Sequence, residues 1–192
     1  MLIPCRTSFE CSIDGRQGFS YFRNSMKIKV RKVLKEDLPS VLGLIKELAD
    51  YEKAPREVKV TLKELERDGF GKNKIYDCFV ATSPLTPLSR GRGDRRKSRG
   101  EVVVGIALYY VKYSTWKGKC IYLDDLIVTE SMRKEGIGKK LFDAVVAVAK
   151  KMKVRKLEWQ VLNWNKPAIN FYKKYSTVFD NEWVNCKLVF EK

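Results

Sequence analysis

The sequence contains no histidine. This removes the Ser-His-Asp triad, the Cys-His pair and every histidine-ligated metal site, so no metal is expected and any chemistry must run on carboxylates, tyrosine, lysine, cysteine or backbone groups. Cysteine is also scarce. Cys5, Cys11, Cys78, Cys120 and Cys186 are odd in number, widely spaced and without a C-x-x-C pair, which fits reduced thiols rather than a zinc or redox site. No apolar run approaches membrane-spanning length, and Arg6, Glu10, Asp14 and Arg16 interrupt the stretch where a secretory signal would need a continuous apolar run. No membrane association and a cytoplasmic location are therefore expected. Acidic residues are outnumbered, 23 against 39 Lys plus Arg, and the net charge of +16 favours a polyanionic partner such as nucleic acid, an anionic surface or a phosphorylated cofactor.

What is present suits one globular domain: 192 residues, 44% hydrophobic and 11% aromatic, are enough for a real core. Residues 1–25 show no steady period and are expected to be a disordered extension or the product of a start assigned too early. From Met26 the pattern becomes regular. Ile28 and Val30 alternate with lysines as in a half-buried strand, and Asp37 is placed to cap a helix whose Leu38, Val41, Leu42, Ile45 and Leu48 share one face. Thr61-Leu62-Lys63-Glu64 reads as a capping box opening a short helix that stops near Gly69.

Three β-rich runs follow, at 76–82, 102–113 and 120–128, and an antiparallel meander is their natural arrangement. Between the first two lies a loop insertion at 84–100, rich in arginine, which carries a net +5 of the +16. Much of the basicity thus lies outside the regular elements. Further on, Leu141, Val145, Val148 and Met152 recur at helical spacing, 157–161 reads as a strand, 167–175 as a helix begun by proline, and 183–190 as a last strand. The order β-α-α-β-β-β-α-β-α-β predicts an α/β (α+β) chain.

Candidate chemistry concentrates after the third β run. A strand ending at Val128, a short turn and then Arg133-Lys134-Glu135-Gly136-Ile137-Gly138 opening a helix set unpaired backbone N–H groups and the positive end of a helix dipole at one point. Gly136 and Gly138 let the backbone approach an anion closely, and Arg133, Lys134, Lys139 and Lys140 add counter-charge, so the point suits phosphate. Read alone, the pattern is equally a glycine-containing helix start with solvated lysines. Its setting adds more, because it follows Tyr122-Leu123-Asp124-Asp125-Leu126-Ile127-Val128 and precedes Asn163-Trp164-Asn165-Lys166-Pro167-Ala168-Ile169-Asn170-Phe171-Tyr172. That combination resembles the GNAT superfamily of N-acetyltransferases. Leu44-Ile45-Lys46-Glu47-Leu48-Ala49, Asp68-Gly69-Phe70-Gly71 and Tyr113-Ser114-Thr115-Trp116-Lys117-Gly118 make it most similar to the diamine (spermidine/spermine) and thialysine acetyltransferase group, over nearly all of residues 26–192.

The resemblance implies a GNAT domain over 26–192, a mixed central sheet with an antiparallel N-terminal meander flanked by about four helices. It implies acetyl-CoA as co-substrate. Backbone groups of Leu126, Ile127 and Val128 would run along the pantetheine arm, Arg133, Lys134, Glu135, Gly136, Ile137, Gly138 and Lys139 would surround the pyrophosphate, and Asn165, Lys166, Pro167 and Ala168 would flank the cofactor. It also implies a small-molecule amine substrate, a homodimer, catalytic roles for Tyr172 and Asp124, and substrate contacts from Tyr51, Glu52 and Asp124.

Each of these residues also has a plain structural reading. Tyr172 can be an aromatic packed with Phe171, Tyr51 and Glu52 a solvated helix end, and Asp124 a surface acid. For Tyr172 it is the resemblance that turns the balance to the functional reading, while Tyr51 and Glu52 stay open between the two. A phenol with pKa near 10 protonates a thiolate whose conjugate acid is near about 8.5 at modest cost. An amine of pKa about 10.4 is neutral in roughly one molecule in a few thousand at pH 7, a deficit of about 4 to 5 kcal/mol. Asp124 stands where the group usually has glutamate, and a carboxylate is poorly matched to such an amine, so Asp124 is expected to anchor the ammonium and relay its proton through water. Neighbouring Asp125 is expected on the opposite strand face, paired with lysines. Neither Cys78 nor Cys120 has an activating neighbourhood, so direct attack in a ternary complex is expected. Two other readings stay open: a protein lysine or N-terminal acetyltransferase, and a nucleic-acid-binding module acting through the basic loop at 84–100.

Overall fold

A computed structural model describes residues 27–84 and 101–190. The expectations for residues 1–25 and, beyond Pro84, for the loop at 84–100 lie outside the described residues. The chain divides after Glu158 into two compact units.

In the first unit, strand β1 (Lys29–Lys32) leads through a 3-10 turn, Lys35–Asp37, into helix α1 (Leu38–Tyr51). The Asp37 side chain does not cap α1 as expected. Its carboxylate instead accepts the Leu34 N–H at 2.8 Å and two Arg31 guanidinium bonds at 2.6 and 2.9 Å, because a charged two-pronged donor outbids a single backbone group. Helix α2 (Leu62–Phe70) starts with the expected capping box, Thr61 Oγ1 accepting the Glu64 N–H and Glu64 Oε2 accepting the Thr61 N–H. Strands β2 (Asp77–Pro84), β3 (Glu101–Ser114) and β4 (Gly118–Val128) follow as an antiparallel meander. Helix α3 (Ile137–Lys151) then returns the chain to β5 (Leu157–Glu158), which pairs parallel with β4.

The sheet order is β1-β2-β3-β4-β5, mixed because β5 alone runs parallel to its neighbour. One face is sealed by α1 and α2, where Leu38, Val41, Leu44 and Leu65 bury against Cys78, Val80, Ile106, Leu108 and Ile127. Helix α3 packs against β3 and β4 and buries Ile137, Leu141, Phe142 and Val145. Among the described residues no helix is long and apolar enough to cross a membrane.

In the second unit, helix α4 (Lys166–Tyr172) begins with Pro167 in its first turn and Asn165 Oδ1 accepting the Ala168 N–H at 3.2 Å. Residues 183–190 form no strand, contrary to expectation. A content of β-forming side chains is a property of the chain alone, whereas a strand exists by its ladder, and none forms there among the described residues.

Candidate active site

The site begins with an irregularity in β4. Leu108 pairs with Asp125 but Tyr109 pairs with Leu123, so Asp124 is an extra residue opposite no partner on β3, a β-bulge. Regular alternation would have sent Asp124 and Asp125 to opposite faces, and the bulge cancels it. The Tyr110 and Tyr122 rings lie 5.3 Å apart, and both phenols are pushed up, first by burial and then by charges that include Asp124. The same Asp124, together with Glu52 from the end of α1, acts on Asp125. The expectation that Asp125 pairs with lysines on the far face is therefore corrected.

Glu52, Asp124 and Asp125 form one acidic neighbourhood. Burial, with the charges of Asp124 and Glu52 added, pushes the Asp125 carboxyl up to about 6. Burial also raises Asp124 and Glu52, although as whole residues both are exposed. Among the described residues no cluster of Cys, Asp or Glu is arranged to hold a metal ion. The crowding of negative charge is instead suited to an organic cation.

Beyond the bulge, β4 carries Leu126, Ile127 and Val128. The Thr129 N–H bonds to Val104 O on β3, so by antiparallel alternation Ile127 also turns its backbone groups to β3, while Leu126 and Val128 direct theirs outward. On that outer side the ladder to β5 has rungs at Ile121–Leu157 and Tyr122–Glu158. A 3-10 turn, Glu130–Met132, then carries the chain to Arg133, whose Nε donates to Val128 O at 3.1 Å while its guanidinium lies 4.9 Å from the centre of the Tyr51 ring.

Two left-handed residues follow, Lys134 at φ 67° and Gly136 at φ 74°, and α3 begins. The Lys140 N–H closes onto Gly136 O, so the N–H groups of Ile137, Gly138 and Lys139 stand at the open helix start. A Cβ added at Gly138 would meet nothing nearer than Val128 Cγ2 at 3.8 Å. The protein itself leaves room for a side chain at Gly138, and the three N–H groups with the positive end of the helix dipole make this end of α3 suited to an anion. Lys139 is bonded to Asp143 at 2.6 Å and its charge is partly committed to that pair.

The remaining expected residues lie in the second unit. Tyr172 is buried, its ring 4.9 Å from that of Trp159 and 5.1 Å from that of Phe171, and its carbonyl accepts the Thr177 hydroxyl. Asn165, Lys166, Pro167 and Ala168 form the start of α4. Cys78 and Cys120 are buried, and burial pushes the Cys78 thiol up to about 12.

The family model described as Acetyltransferase (GNAT) family matches residues 63–176. A thialysine N-epsilon-acetyltransferase of Bos taurus is 40% identical over 146 residues, which are 76% of this chain and 81% of that protein. The spermidine/spermine N(1)-acetyltransferase-like protein 1 of Homo sapiens is 33% identical over 144 residues, 75% of this chain and 19% of that protein. Among solved structures, an aminoglycoside acetyltransferase from an uncultured soil metagenomic sample, in complex with sisomicin, aligns with a TM-score of 0.62 at 18% identity over 85% of this chain and 97% of that one, a likeness of fold.

Proposed function

The chain belongs to the acetyltransferase (GNAT) family and is an N-acetyltransferase, and from that premise we propose that it moves the acetyl group of acetyl-CoA to a primary amine of a small molecule by direct attack in a ternary complex. The substrate is a thialysine-like amino acid, a diamine or a polyamine. The observation that carries this reading is the gathering of Glu52, Asp124 and Asp125 at the β4 bulge, just ahead of the outward backbone groups that lead to the start of α3. An ammonium relieves that crowding, and a substrate carrying its own carboxylate is repelled less by a chain of net charge +16, which favours the amino-acid end of the range.

Acetyl-CoA supplies the activated acyl group and a thiolate leaving group. Leu126 and Val128 take its pantetheine arm in the manner of an added strand, and the N–H groups at the start of α3, with Arg133 and Lys134, hold its pyrophosphate. Asp125 and Glu52 draw in the ammonium. Asp124, exposed at the bulge, receives its proton through water as the amine nitrogen attacks the acetyl carbon. By the likeness to the family, Tyr172 gives its phenolic proton to the sulfur as the C–N bond forms and the C–S bond breaks, and the second proton shed by the nitrogen restores the phenol. A buried Cys78 thiol held near 12 is no nucleophile at neutral pH, which supports direct transfer. Residues 26–192 form the catalytic domain of a cytoplasmic homodimer in this reading.

Acetyl-CoA supplied with thialysine, lysine, putrescine, spermidine and a lysine peptide, with thiol release followed, tests it. Turnover of a small amine above the peptide is expected, and turnover of the peptide alone would overturn the substrate class.

A further inference from the structure

Glu47 takes no part in the chemistry above. It lies on α1 one turn before Tyr51, yet its carboxylate reaches the end of β4, 82 residues away in sequence. Oε2 accepts the Thr129 hydroxyl at 2.9 Å, with Oε1 at 3.1 Å, and Oε1 accepts the Glu130 N–H at 2.8 Å. Thr129 and Glu130 are where β4 stops and the turn toward the anion site begins. At the far end of that turn Arg133 is held by Val128 O and the Tyr51 ring. The same helix therefore grips both ends of the turn.

Besides these contacts the segment has the Thr129 N–H on Val104 O and two turn bonds, Met132 N–H to Thr129 O and Arg133 N–H to Glu130 O, and these are backbone bonds that leave its side chains largely in solvent. Glu130, Ser131, Lys134, Glu135 and Gly136 are exposed, and Lys134 occupies a left-handed conformation that a non-glycine residue adopts at a cost of about 1 kcal/mol or more. A carboxylate near an anion site is electrostatically adverse. Its presence is accounted for by the bonds it makes, which are charge-assisted and therefore among the stronger ones.

We propose that Glu47 is a positioning residue for the anion site: by holding Thr129 and Glu130 it fixes the path from β4 into the left-handed pair Lys134 and Gly136, and so preorganises the N–H groups at the start of α3 for the pyrophosphate. The role rests on the acetyl-CoA reading given above. It predicts a defect specific to the nucleotide end of the donor, because the amine side and the acetyl end do not depend on the turn.

Calorimetric titration with CoA of the parent, Glu47→Gln, Thr129→Val and the double variant tests it. Each single variant is expected to bind CoA about tenfold more weakly, and the double variant no more than about twofold worse than the weaker single, because the Thr129 hydroxyl acts through Glu47. With acetyl-pantetheine, which lacks the pyrophosphate, kcat/KM stays within about twofold of the parent. Unchanged CoA binding in both singles overturns the proposal, as does an equal loss with acetyl-pantetheine, which would mark a general fold defect. A parent that binds no CoA overturns the acetyl-CoA reading and this role with it. Thr129→Val removes one hydroxyl and keeps the test decisive if Glu47→Gln folds poorly.

Discussion

Replacing Asp125 by asparagine removes a charge that the fold holds at a cost. Its carboxyl is raised from 3.8 to about 6 by burial and by Asp124 and Glu52. A shift of about two units corresponds to about 3 kcal/mol. The folded pKa lies above the unfolded one, so the folded state binds the extra proton between about pH 4 and pH 6. The favourable contribution of the protonated group is complete below about pH 4 and is lost as the pH rises through about 6. At pH 7 the ionised group therefore opposes folding, and Asp125→Asn should be more stable than the parent by about 2 to 3 kcal/mol, a gap that closes toward pH 4. Urea unfolding at pH 4, 5, 6 and 7 reads it. The same variant should raise the amine KM at least about tenfold at pH 7 and leave the acetyl-CoA KM within about twofold, because the removed charge faces the ammonium. A stability gap that does not change with pH would refute the electrostatic account, and an unchanged amine KM would take Asp125 out of the substrate site.

Tyr172→Phe should lower kcat about a hundredfold with both KM values nearly unchanged, read by thiol release in single turnover, and full activity would remove the phenol from the role of proton donor. Two glycines should separate fold from site. A Cβ at Gly105 would come within 2.7 Å of Ile127 O and 3.1 Å of Leu141 Cδ1, so Gly105→Ala should cost about 1 to 3 kcal/mol in denaturant unfolding. Gly138→Val should leave the unfolding midpoint close to the parent's yet weaken CoA about tenfold or more, since what it fills is the cradle and not the core.

Features carried by local chemistry were legible in the sequence. The Thr61 capping box, the apolar face of α1, the three strands of the meander and the Arg133–Gly138 helix start each depend on residues a few positions apart. Features that depend on distant partners were not. Asp37 has the sequence position of a cap but is taken by Arg31 across the turn, and residues 183–190 are rich in β-forming side chains but lack a ladder among the described residues. Strict alternation sends Asp125 to the far face because it assumes an unbroken pleat, and the bulge at Asp124 breaks it. The one available signal was two consecutive acids inside an otherwise apolar strand, an arrangement a regular strand buried on one face accommodates poorly. Glu47 lies in a stretch that resembles the family, yet its partners Thr129 and Glu130 are 82 and 83 residues away.

The end of α1 joins these threads. Glu47 and Tyr51 are four residues apart and so share a helix face, which meets the turn at Thr129, Glu130 and Arg133. Glu52, one position further round the helix, acts on Asp125 instead. The helix is seated by buried Leu44 and Ala49, and its end is closed by the Glu52 N–H on Leu48 O and by the left-handed Lys53. Because Glu47 and Tyr51 lie in the last turns of α1 and Glu52 directly follows them, the proposed anion site and the acidic neighbourhood are both tied to the end of one helix. Acyl transfer needs its two reactants held within reach of each other, and a shared helical turn meets that need with few freely rotating bonds.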